Sequence, residues 1–153
     1  MASSIGCTIK SLKGKIEKAN GLRYQAVIQL LQQNKNEIGG GEAKTDLNEV
    51  HFRRNDAEVT WDQKFTIAYP TTLDEMANET RTFDISVHEK GKFSHNLELI
   101  GVTTYSLSEL AGQLKKRHQN TVAVSLEVPR AGRPGAPALR LAAEFSLVLG
   151  AAA

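Results

Sequence analysis

From Leu139 to Leu149 the chain alternates, with Leu139, Leu141, Ala143, Phe145, Leu147 and Leu149 on one parity and Arg140, Ala142, Glu144, Ser146 and Val148 on the other. A strand sends successive side chains to opposite faces, so a period of two predicts a strand with one buried face. Val122, Val124, Leu126 and Val128 repeat the pattern, and the three prolines and two glycines of 129–137 predict a loop between the two strands. Upstream, Phe65, Ile67 and Tyr69 follow Trp61, and Phe83, Ile85 and Val87 follow a polar connection at Thr71 to Thr80. Tyr24, Ala26, Ile28 and Leu30 make a further set, with Val27 and Leu31 adding apolar character to its second face. Thr8 to Leu12, Lys44 to Arg53 and Leu99 to Tyr105 complete eight short strands. The prediction is an all-β fold, an eight-stranded antiparallel β-sandwich.

One helix interrupts the strands. Ser106 followed by Glu109 is a capping-box signature, and Leu107, Leu110, Ala111 and Leu114 form a stripe at helical spacing. Lys115, Lys116, Arg117 and His118 stand where positive charge complements the helix dipole, so the helix is predicted over 107–118. Gln32 to Glu42, with three consecutive glycines, is predicted to be the longest flexible segment.

A chain of 153 residues accommodates one domain, 1–153, with a sizeable core. Its net charge of +2 is too small for generalised nucleic-acid binding, so any basic function is local. A single cysteine, Cys7, excludes an internal disulfide framework and a cysteine-built zinc site. The first residues carry neither a secretory pattern nor the glycine needed for myristoylation, and no apolar run reaches the roughly 20 residues that span a bilayer. The expected location is cytoplasmic, at a membrane or cytoskeletal structure if the chain is a targeting module.

The order of several landmarks resembles the C2 domains. Trp61-Asp62-Gln63-Lys64-Phe65 resembles the W-N-E-x-F start of their fourth strand, and Phe83-Asp84-Ile85-Ser86-Val87 the L-x-I-x-V strand that follows. Leu99-Ile100-Gly101 and Leu107-Ser108-Glu109-Leu110 resemble the stretch after their third loop, and Asn20-Gly21-Leu22 a tripeptide of the first. The long 71–80 connection and the helix after Tyr105 are most similar to N-terminal C2-type domains preceding long coiled-coil proteins. That likeness implies a C2-like β-sandwich serving as the first piece of a larger protein.

Calcium-binding C2 domains gather about five aspartates, because the ion takes six to eight oxygen ligands. The resemblance puts Lys18 and Tyr24 at the first-loop aspartate positions and only Glu89 near one in the third loop, so no calcium and no other cofactor is expected. Lys13, Lys15 and Lys18 surround Ile16; Lys90, Lys92 and His95 surround Phe93; and the second loop follows His51, Arg53 and Arg54. Near an anionic membrane each such cation contributes on the order of 1 kcal/mol, with Ile16 and Phe93 as wedges. The competing expectation is a protein partner held on a sheet face, an edge strand or the 106–118 helix; a third reading is a purely structural cap on a coiled-coil protein, which self-association through an edge strand would favour. Glu17, Asp56, Glu58 and Glu89 dilute the positive field in either case.

Catalytic chemistry finds no support in the motifs. Gly39 to Thr45 is similar to a phosphate-binding loop, yet Ile38 and Ala43 occupy positions that need glycine, so a hairpin loop is predicted. His88-Glu89 has no second histidine at helical zinc-protease spacing, and Cys7 in a strand behaves as a small apolar residue. Trp61 reads as a core or sandwich-end anchor. The function expected is therefore a calcium-independent interaction module that targets or scaffolds a larger assembly, not an enzyme.

Overall fold

The computed structural model describes residues 3–16, 21–30, 41–53, 56–68, 73–78, 80–91, 96–117, 120–132 and 135–149. In chain order they form β1 (Ser3–Gly14), β2 (Arg23–Leu30), β3 (Gly41–Lys44), β4 (Asn48–Glu49), β5 (His51–Arg53), β6 (Asp56–Ala68), α1 (Leu73–Ala77), β7 (Thr82–Lys90), β8 (Glu98–Ser106), α2 (Leu107–Arg117), β9 (Thr121–Val128) and β10 (Leu139–Leu149). One antiparallel sheet runs β5-β6-β1-β10-β9; the other runs β3-β2-β7-β8, with β4 also on β2. This is the sandwich that the alternation predicts.

Three details correct the expectation. The single strand predicted over Lys44 to Arg53 is broken, because Thr45 pins a bend against β2 and the chain then crosses to the other sheet. The Thr45 amide donates to the Ala26 carbonyl and its Oγ1 accepts from the Ala26 amide, both at 2.9 Å. Gly41–Lys44, expected in a hairpin loop, is a strand paired with β2 from Val27 to Leu30. The 71–80 connection contains a second helix, α1, too short for its periodicity to register.

The inner faces meet in one core. Ile5, Cys7 and Ile9 are buried on β1, but the next buried position is Leu12, an odd step that strict alternation forbids. A β-bulge between Ile9 and Ser11 supplies the phase change, and Asp62 on neighbouring β6 takes a left-handed φ of 49° beside it. Phe145 of β10 is the aromatic hinge of the two layers, its ring centroid 5.0 Å from Phe83 and 5.1 Å from Tyr105 in the other sheet. Trp61 crosses the same gap as the predicted anchor, its Nε1 donating to the Tyr24 carbonyl at 3.1 Å.

The α2 helix starts as predicted. The Glu109 amide donates to the Ser106 Oγ at 3.3 Å, and Leu107, Leu110, Ala111 and Leu114 are buried. Asp74 of α1 pairs with Lys115 of α2 at 2.6 Å, while Met76 is buried in the core. His118 lies outside the described residues.

Two outcomes test this packing. Phe145→Ala should cost about 3–5 kcal/mol, read as a fall in urea midpoint, whereas Phe145→Leu should cost clearly less. Burial pushes the Cys7 thiol up to about 12. A disulfide reagent at pH 8 should therefore label the folded protein at least tenfold more slowly than the urea-unfolded chain.

Candidate interaction surface

The antiparallel connections bring the ends of β1, β5 and β7 and the starts of β2, β6, β8 and β10 to one end of the sandwich. Of the residues selected from the sequence, Lys13, Lys15, Ile16 and Lys90 are found there, and the backbone of Arg53 pairs with Asp56. Lys18, Arg54, Lys92 and Phe93 lie outside the described residues, as does the side chain of Arg53. Lys13 is exposed but paired with Glu58 at 3.1 Å, so part of its field is already answered. Lys15 is exposed. Ile16 is half-buried and packs against the core. Lys90 stands on β7 directly across from Arg23 of β2.

Tyr24 and Glu89, two of the three residues placed at ligand positions by resemblance, bond to each other. Tyr24 is fully buried, and its hydroxyl donates to the Glu89 carboxylate. The carboxylate is thus engaged in fastening β7 to β2. Among the described residues no three His, Cys, Asp or Glu side chains are grouped to hold a metal ion.

Arg130 belongs to this end and was not singled out, because proline and glycine mark its surroundings as loop. Its backbone bridges Gly101 of β8, the Ala131 amide donates to the Ile100 carbonyl at 2.7 Å, and its guanidinium donates to the Lys15 carbonyl at 3.2 Å. The signal was Gly101, a glycine inside a strand, which often marks a close backbone approach. A Cβ built there would sit 2.3 Å from the Pro129 carbonyl oxygen.

Beside this closure, on β8 and just before it, stand the exposed large apolar side chains among the described residues: Leu97, Leu99 and Val102, at 44%, 49% and 47% exposure. Leu99 and Val102 are three apart, a spacing that should put them on opposite faces. The register shift opposite Val87/His88 takes up the extra residue, so Leu99 lies across from His88 and Val102 across from Ser86, both on the outer face. His88 shares a 3.0 Å hydrogen bond with Ser86 Oγ, and burial, followed by the Lys44 charge, holds its pKa below the ordinary 6.5.

No family model matches the chain, and no curated protein matches it. Among solved structures it is similar to the C2A domain of plant extended synaptotagmin 1, at 15% identity over 97% of this chain and 96% of that one, with a TM-score of 0.63. It is similar also to CC2D1B, described as coordinating ESRCT-III activity during the mitotic reformation of the nuclear envelope, at 13% identity and a TM-score of 0.59. That match covers 97% of this chain and 63% of the other. A third structure, described as a C2 domain, matches at 12% identity over 96% of this chain and 99% of that chain, with a TM-score of 0.53. At these identities the likeness establishes the fold: the chain has the C2-domain architecture that its landmarks resemble.

Gly101→Ala should lower stability by about 1–3 kcal/mol in urea unfolding, because the added methyl meets backbone rather than a movable side chain. For His88, the unfolded chain takes up a proton first as pH falls below 6.5. Its contribution is therefore complete above that value and is lost as acidification passes the lower folded pKa. His88→Gln should flatten the fall in melting temperature between pH 7.5 and 5.

Proposed function

We propose that this chain is a calcium-independent interaction module whose ligand is a protein, and that it serves to target or scaffold a larger assembly. The observation that carries the reading is the trio Leu97, Leu99 and Val102, exposed on and immediately before β8, a strand at the border of its sheet. Apolar side chains at such a border suit docking against another protein surface. Calcium independence is supported by the engagement of Glu89 with Tyr24 and by Lys18 and Lys90 in the flanking loop positions.

A second reading, attachment to an anionic membrane, draws on the gathering of Lys13, Lys15, Lys90 and Arg130 at one end. No helix among the described residues is long and apolar enough to cross a membrane, so attachment would be peripheral.

A ligand present at 100 times its Kd stabilises the folded state by about 2.7 kcal/mol, so thermal melts are a sensitive test for calcium. Millimolar calcium should move the melting temperature by less than 1 °C, which is about the scatter expected of a protein that does not bind it. Affinity retention from cell extract should yield proteins held by the wild type and lost with Val102→Glu. Retention indifferent to Val102→Glu would overturn the protein reading. Sedimentation with phosphatidylserine vesicles in chelator, abolished by Lys90→Glu with Lys92→Glu, would establish the membrane reading in its place.

A further inference from the structure

The outer face of the β3-β2-β7-β8 sheet carries its charge in rows. The row nearest the loop end sets Arg23 beside Lys90, with Glu49 at its margin. Next come two nearly uncharged rows, Gln25-His88-Leu99 and Val27-Ser86-Val102, the second flanked by Lys44. The fourth row is acidic, with Glu42, Gln29 and Asp84 running to Thr104. Successive rows are about 7 Å apart, twice the rise per residue of a strand.

This ordering selects among occupants. An anionic membrane laid on the face would meet Asp84 and Glu42 as soon as it met Lys90 and Arg23, and an acidic peptide covering all four rows would meet them too. A second copy turned end for end has no such conflict. A two-fold axis in the plane of contact, across the strands and between the middle rows, sets basic row against acidic row and Leu99 against Val102. It places Lys90 over the partner's Asp84 and Arg23 over the partner's Gln29. The opposed like pair, Glu42 against Glu49, falls at the solvent margin, where Lys44 already pairs with Glu42 at 3.5 Å. We infer that this outer face docks a second copy of the chain, sheet against sheet, as an antiparallel two-fold dimer. The inference rests on the protein-binding reading and names the partner. Four strands by four rows cover roughly 15 by 20 Å, well below the usual 800 Å² or so per partner, so the dimer forms at high micromolar concentration.

Sedimentation of the full chain from 10 µM to 1 mM tests it. The weight-average mass should rise with concentration from 16.7 kDa towards twice that value. Val102→Glu should abolish the rise, while Lys64→Glu on the other sheet should leave it intact. Lys90→Glu and Asp84→Lys should each weaken the dimer at least fivefold, and the double variant, which reverses both partners, should recover to within about twofold of wild type; each substitution alters two symmetry-related charge pairs across the interface. Asp84 accepts a hydrogen bond from Thr82 at 2.9 Å. Asp84→Asn, which keeps that bond, should show the same loss in milder form if Asp84→Lys melts early. A chain monomeric at 1 mM, a dimer indifferent to Val102→Glu, or a double variant no better than the single ones would each overturn the inference. A monomer that still retains cellular proteins through Val102 would do so while leaving the protein-binding reading in place. A monomer that retains none would remove both.

Discussion

The indole N–H of Trp61 is buried and needs an acceptor, and the one it has is the Tyr24 carbonyl in the opposite sheet. Leaving such a donor unpaired costs about 1–3 kcal/mol, so the bond sets how closely β6 and β2 approach. Tyr24 then passes the constraint onward, because its hydroxyl, buried at the same place, donates to Glu89 on β7. One line of hydrogen bonds thus runs from the first sheet through two strands of the second. Beside Trp61, Asp62 takes the left-handed φ of 49° that accompanies the register shift between β6 and β1.

That line has a chemical consequence. A carboxylate that accepts a buried tyrosine hydroxyl is part of the frame, and the side chains flanking it, Arg23 and Lys90, project from the outer face as cations. At this place the sandwich thus carries Arg23 and Lys90 on its surface and a hydrogen-bonded frame beneath.

The open side of the sandwich is handled differently at its two halves. Near the loop end, the absence of a side chain at Gly101 lets the backbone of Pro129 and Arg130 close on β8, and Arg130 reaches on to Lys15. This closure satisfies backbone groups that an edge strand otherwise offers to other chains. It leaves the face of β8 uncovered, however, and there Leu99 and Val102 stand together, with Val27 two strands away in the same row as Val102.

Much of the architecture was legible in the chain. Alternation in 139–149, 122–128 and 83–87 reported which side chains face inward, because a strand with one wet face must alternate. The Ser106–Glu109 cap located α2, because capping is a local interaction between residues three apart. Lys13, Lys15 and Lys90 could be chosen by sign of charge alone, but that Lys13 is answered by Glu58 depends on which strands neighbour each other. Breaks in local rule were decided by tertiary contact. Thr45 bends the chain because Ala26 is beside it, Gly101 admits Arg130, and Leu99 joins Val102 on one face because a bulge absorbs Ile100. The amino-acid sequence alone determined the layers and the inventory of charges; the order of those charges into rows was decided only by strand register, a property of pairs of segments distant in the chain.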